Sequence, residues 1–157
     1  MVEANNGMTG FHIHVAEGMN DVYDSLRNYG CRPVNRLLYK AFWERRPCLA
    51  IAFISARLRW TSSKETGTMV VNNPQSNQQC SRMLPGAADD GKGITVGMGT
   101  DAYTHDMLES MKAFLTIQRH NAMLPNVGWC EDVKMQFENN RIIAREIFRQ
   151  NSWYLKR

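Results

Sequence analysis

Residues 10–18 read Gly-Phe-His-Ile-His-Val-Ala-Glu-Gly, and the reading of the whole chain turns on this stretch. Phe11, Ile13 and Val15 alternate with His12, His14 and Ala16, the period of two that marks a short strand. On such a strand the two histidines share one face and the apolar residues the other. Glu17 follows three residues after His14, where the strand should end. An imidazole that can bind a metal then stands beside a carboxylate that can move protons. Taken alone, the nine residues are more simply described as a strand with two incidental histidines and a solvated glutamate. The rest of the chain decides between the two.

Outward from this stretch, Val22, Leu26 and Tyr29 with polar residues between them predict an amphipathic helix that Gly30 stops. Arg32-Pro33 opens a second short helix through Val34, Leu37 and Leu38. Residues 64–72 read as a helix end, a turn at Gly67 and a strand over Thr68–Val71, and residues 72–77 read as polar loop. Gly93 to Gly99 is another short strand, with Thr100-Asp101 at its tip. A helix from about Asp106 to His120 should bury Met107, Leu108, Met111, Leu115 and one face of Phe114; Pro125 ends that region, and a last helix runs from about Cys130 to Phe148. Strands alternating with helices, and polar groups just after strand ends, predict a parallel sheet with crossover helices, an α/β fold. His14, Glu17, Ser76, Asn77 and Asp101 all fall at or near strand ends, where barrels of such units carry their chemistry.

The 157 residues suffice for one domain with a sizeable core, and 43% apolar and 22% charged residues are ordinary for a globular protein. The longest apolar run, Cys48 to Ile54, is far too short to cross a bilayer, so no membrane partner is expected. No basic segment leads into an apolar stretch near the N-terminus, which argues against a secretory signal. Four dispersed cysteines form neither a zinc knuckle nor a compact disulfide framework, and a cytoplasmic location is the expectation. The net charge of +4 is concentrated in residues 41–63, where Arg45, Arg46, Arg57 and Arg59 face only Glu44. With Trp43 and Trp60 interleaved, this segment offers an alternative reading, a basic nucleic-acid-binding module that stacks bases on its aromatic rings.

Phe11 to Glu17, then Asn73-Pro74 with Ser76-Asn77, then Gly99-Thr100-Asp101, resemble the later metal-site blocks of the amidohydrolase superfamily, nearest to its chlorohydrolase and aminohydrolase branch. The similarity extends over Gly30 to Leu37 and Gly99 to His120, with the blocks in the family's order. The resemblance implies the later half of a metal-dependent-hydrolase (β/α)8 TIM barrel, incomplete, covering about strands 5 to 8 over residues 1–157. It implies one divalent metal, zinc foremost and iron second, held by His14 and Asp101. It makes Glu17 the proton-shuttling acid and Asp101 the group that deprotonates the attacking water. Ser76 and Asn77 become substrate-binding residues, and His12 a packing residue or a support for a metal ligand. The reaction implied is hydrolysis of carbon–nitrogen bonds on a small heterocyclic substrate, with no nucleic-acid partner and room for a homo-oligomer of the full-length parent.

Two departures accompany the resemblance. The family's first-strand His-x-His is absent, and so is its sixth-strand histidine, since residues 49–55 read Leu-Ala-Ile-Ala-Phe-Ile-Ser. Residues 41–63 show neither helical period nor strand pattern, and residues 80–92 lack an apolar stripe. Codon degeneracy permits, one base earlier, a histidine-bearing strand across residues 49–64, and one base later a helix-like text across 79–92. Segments 41–63 and 79–92 are therefore read as out of frame, and the chain alone as inactive.

Overall fold

Short apolar runs become strands, and the turn residues after them set where each strand stops. The computed structural model of the chain describes residues 12–16, 18–39, 49–52, 69–77, 95–128 and 130–148. Among the described residues four strands form one sheet: β1 (His12–Val15), β2 (Leu49–Ala52), β3 (Met69–Asn72) and β4 (Val96–Met98). Every pairing is parallel, and the order across the sheet is the order along the chain. His14 pairs with Ile51, Leu49 with Met69, and Asn72 with Met98, so all four strands end at the same edge of the sheet. The α/β class expected from the sequence is the class observed.

β2 corrects one expectation. Residues 41–63 carry no alternating pattern, yet Leu49–Ala52 is a strand, paired to β1 on one side and β3 on the other. A central parallel strand reads as an unbroken apolar run rather than an alternation, and Leu-Ala-Ile-Ala is such a run. The rest of that segment, including Trp43, Arg45, Arg46, Arg57, Arg59 and Trp60, lies outside the described residues, as does the segment 79–92.

Helix α1 (Met19–Tyr29) opens at Gly18, whose amide donates to the Asp21 carboxylate at 3.2 Å. It ends at Gly30, whose φ of 66° is the left-handed turn that favours glycine. Its inward face is Val22 and Ser25, not Val22, Leu26 and Tyr29; Leu26 and Tyr29 are exposed. Ser25 tolerates burial because its hydroxyl donates to the Cys31 carbonyl at 2.8 Å, and the Tyr29 ring is covered instead by the Arg36 guanidinium 3.5 Å from its centroid. Arg36 belongs to α2 (Pro33–Tyr39), which starts on the proline as expected.

After β3 the chain does not remain a solvated polar loop. Asn72, Asn73, Pro74 and Ser76 are buried, and Pro74–Asn77 forms one short helical turn, α3. The loop is wedged between β4 and the following helix. The Gly99 amide donates to the Asn72 carbonyl at 2.9 Å, and the Ser110 hydroxyl donates to Gln75 Oε1 at 3.2 Å. Polar residues are buried here because their neighbours supply hydrogen bonds.

Helix α4 (Met107–Ala122) is capped by Asp106, whose carboxylate accepts from the amides of Leu108 at 2.8 Å and Glu109 at 3.3 Å. Its inward stripe is Met107, Ser110, Met111, Phe114, Ile117 and Gln118, which follows helical spacing. Leu108 lies off that stripe and is 65% exposed, contrary to the face expected for it. Phe114 is 1% exposed and packs with Val70, Val96, Met98 and Met135 in the core between helix and sheet. The helix ends on Met123, a non-glycine residue at φ 53° and almost fully exposed. A left-handed backbone costs a Cβ-bearing residue about 1 kcal/mol, and this methionine side chain packs on nothing that would offset it. Met123→Gly should therefore stabilise the chain by about 1 kcal/mol in urea denaturation; a loss of stability would contradict the C-cap assignment.

The last helical region runs from Glu131 to Phe148 but is not one regular helix. A turn of α-helix, α5 (Glu131–Val133), passes into a π-helical segment, Lys134–Asn139, and then into α6 (Asn140–Phe148). Met135 in the π-helical segment is fully buried against the core, and Ile143 of α6 is buried beside β4.

Candidate metal site at the strand ends

The parallel sheet gathers the tips of its strands at one edge, and of the sequence-predicted site residues that are described, His14, Ser76, Asn77 and Asp101 lie at or just beyond those tips while His12 opens β1. Along β1, His12 and His14 are exposed, Ile13 is half-buried and Val15 is buried, so the alternation expected from the sequence is observed. Ala16 follows, buried, with φ 56°. Glu17 lies outside the described residues.

At the end of β4, Gly99 lets the chain pass close to β3: a Cβ there would run into Asn73 Oδ1 and meet Val71 Cγ1 at 2.9 Å. Thr100 and Asp101 come next. Asp101 is exposed, with φ 54°, and its Oδ1 accepts the Ala102 amide at 2.7 Å. The Thr100 hydroxyl donates to the Asp101 carbonyl at 3.2 Å. Left-handed residues without a glycine excuse cost free energy and concentrate at functional strand ends. Here one stands directly after the histidine strand and one at the aspartate itself.

At the end of β3, Ser76 is buried on the turn α3, while the side chain of Asn77 is outside the described residues. Among the described strands β1 and β4 are the outer two, with β2 and β3 between them. Three inter-strand spacings correspond to about 14 Å along a flat sheet, and only curvature of the sheet brings the two tips closer. Among the described residues no group of three or more histidine, cysteine or carboxylate side chains lies ready to hold a metal. Imidazole and carboxylate are nonetheless the ligand types that zinc accepts, and His14 and Asp101 supply one of each at the same sheet edge.

The sequence reading passed over residues on the far side of β4. Asn139 Nδ2 donates to the Val96 carbonyl at 2.7 Å. The amide of Asn140 accepts from the Met98 N–H at 2.9 Å and donates to the Met98 carbonyl at 2.9 Å. The signal was present, because two adjacent asparagines inside a helix are poor helix formers that compete for backbone hydrogen bonds.

No family model matches the chain. A 5-methylthioadenosine/S-adenosylhomocysteine deaminase of Syntrophomonas wolfei is 32% identical over 129 residues, which are 75% of this chain and 29% of that protein. A 5'-deoxyadenosine deaminase of Methanobrevibacter smithii is 31% identical over 133 residues, 78% of this chain and 29% of that protein. The chain thus spans less than a third of the length of these relatives. Among solved structures, a zinc-bound adenosine deaminase from Xanthomonas campestris superposes with a TM-score of 0.77 at 21% identity, over 94% of this chain and 34% of its own. An amidohydrolase from Brucella melitensis gives 0.74 at 17% identity, over 94% of this chain and 35% of its own. The deaminase-like sequence and the amidohydrolase fold agree with the order of blocks along the strand tips: the chain belongs to the amidohydrolase superfamily, as a partial-length member.

Proposed function

We propose that the chain is part of a (β/α)8 barrel hydrolase, about strands 5 to 8, that releases ammonia from an adenosine-like heterocycle. The observation that carries this reading is the parallel sheet in chain order, which puts the His14 and Asp101 strands' tips at one edge. The names of the sequence relatives narrow the heterocycle to an adenine nucleoside or its thioether analogue, and narrow the reaction to deamination.

His14 and Asp101 are the residues of this chain that would hold a divalent ion, zinc foremost and iron second. A bound ion of this kind supplies a water acidic enough to lose a proton near neutral pH. Asp101, whose carboxylate is exposed at the strand tip, would take up that proton. Glu17 would donate a proton to the ring nitrogen beside the carbon under attack, the proton held by Asp101 would pass to the leaving amine, and the hydroxyl added to the ring carbon would return its proton to Glu17 as the carbonyl forms, so that water is consumed, ammonia released and both carboxyl groups restored. Ser76 and Asn77 orient the heterocycle, and His12 supports the histidine strand from the same face.

Two ligands are too few to close a catalytic zinc site. The isolated chain is therefore expected to bind zinc weakly and to release no measurable ammonia from adenosine, 5'-deoxyadenosine or 5'-methylthioadenosine. Tight stoichiometric zinc together with turnover lost in Glu17→Gln would overturn the inactive-fragment part of this reading. The reading frame of segments 41–63 and 79–92 is settled by resequencing the gene. Stop codons in the neighbouring frames across those segments would end the frameshift account and return the Arg45, Arg46, Arg57 and Arg59 cluster to consideration as a binding surface.

A further inference from the structure

We propose that the outward side of the last helical region is a self-complementary surface, on which a second copy of this chain docks with the two helices antiparallel. The surface is independent of the metal reading, since no residue of the strand tips takes part in it.

The inward side of this region is fixed by its contacts with the sheet. Met135 lies in the core with Val96 and Met98, Asn139 holds the Val96 carbonyl, and Ile143 lies against Gly97. The opposite side points away from the sheet, and it stays outside whichever further strand pairs with β4. On that side lies an open groove of about 690 Å3, with Glu131, Val133, Lys134, Phe137, Glu138 and Arg141 among its lining residues. Val133 is 49% exposed and Phe137 60%, so an apolar seam runs between the charges. Large apolar side chains left in water within a groove, and rimmed by charge, are the arrangement of a contact surface.

The charges select the partner. Along the groove they alternate in sign, Glu131, Lys134, Glu138 and Arg141, at spacings of three, four and three residues. Read backwards, the pattern is the same with every sign inverted. A copy lying antiparallel about a two-fold axis near Gln136 therefore sets Glu131 of one chain against Arg141 of the other, and Lys134 against Glu138. Each pair occurs twice, as an isologous interface requires. Phe137, one residue from the axis, meets its own counterpart at the centre, where aromatic anchors carry most binding energy. A parallel copy in the same register sets like charges together and is disfavoured. Ion pairs within one helix, three and four residues apart, explain the alternation of sign; they do not explain an exposed Val133 and Phe137 between the charges. From Glu131 to Arg141 the seam is about 15 Å long. That places the interface below about 1,200 Å2, the size of weak and transient contacts.

The test is sedimentation velocity of the whole chain, in which a reversible dimer with a Kd of roughly 10–100 µM is expected. Lys134→Glu sets acidic residues against acidic ones across the axis, and Glu138→Lys sets basic against basic. Each variant alone should dimerise at least about 10-fold more weakly than the wild type. Mixed one to one, the two should form a heterodimer about as tight as the wild-type dimer, because every acidic residue then meets a basic one. Phe137→Ala should weaken the dimer by about 10-fold or more. None of these substitutions touches the core, and circular dichroism should match the wild type. Should a charge variant fail that check, Glu131→Lys and Arg141→Glu make the same exchange at the outer pair. A chain that stays monomeric throughout overturns the proposal and leaves the groove to another partner or to another segment of a longer polypeptide. A dimer indifferent to the variants, or a mixture no tighter than its components, also overturns it, because the copies then meet elsewhere.

Discussion

Replacing Phe114 with alanine is expected to cost about 3–5 kcal/mol, the largest loss of any single substitution at a described position. Phe114 is 1% exposed and is the largest side chain in the core, touching the layer formed by Val70, Val96, Met98 and Met135. Its removal leaves a cavity that cannot collapse easily, since β3 and β4 are fixed by the sheet and Met135 by its own helix. The loss is comparable to the whole stability of many small domains, so urea denaturation should show the variant largely unfolded without denaturant. A loss under about 1 kcal/mol would mean that α4 does not pack on β3 and β4 as described.

The second large effect is Gly97→Ala, where the sign of the usual expectation reverses. Alanine in place of a strand glycine with ordinary backbone angles normally stabilises by about 0.5–1 kcal/mol. Here the added Cβ would strike Asn140 and Ile143, side chains held by hydrogen bonds and burial rather than flexible ends in solvent. The expected result is a loss of about 1–3 kcal/mol, with weaker protection of the Met98 amide in hydrogen exchange. A stabilised variant would show that α6 sits further from β4 than the hydrogen bonds of Asn139 and Asn140 imply.

How much of this was legible in the sequence differs from element to element. The strand at His12–Val15 was readable because one of its faces is exposed and the other is not, which is the condition for alternation. The parallel sheet followed from strands alternating with helices. β2 was invisible to the same rule because Leu-Ala-Ile-Ala is an unbroken apolar run, the kind that parallel strands covered on both faces carry in place of alternation. The faces of α1 and α4 were misplaced at Leu26, Tyr29 and Leu108 because a helix with polar inward residues has no clean apolar stripe. Ser25, Ser110 and Gln118 take inward positions through packing and hydrogen bonds that exist only once the neighbours are in place. The same holds for the Asn72–Ser76 turn, whose polar composition reads as loop and whose partners bury it.

For the candidate site, residue types and order were legible, and distances were not. Sequence places His14 and Asp101 on separate strands, and the sheet order then makes those strands its two outer members. Whether they share an ion depends on curvature, which no local pattern encodes. The asparagine pair at 139 and 140 was readable only as a local oddity. Its partners, the backbone groups of Val96 and Met98, come within reach only once the last helix lies against β4.

The most direct test of the central claim, that His14 and Asp101 serve one metal, is a Co2+ titration of the isotope-labelled chain followed by paramagnetic broadening. Cobalt stands in for zinc with the same ligand preferences, and broadening falls off steeply with distance from the ion. The account predicts that the His14 imidazole and the Asp101 side chain broaden first, together, and at the same cobalt concentration, with both effects lost in either His14→Ala or Asp101→Asn. Broadening at one of the two without the other, or at both but indifferent to either substitution, would contradict it.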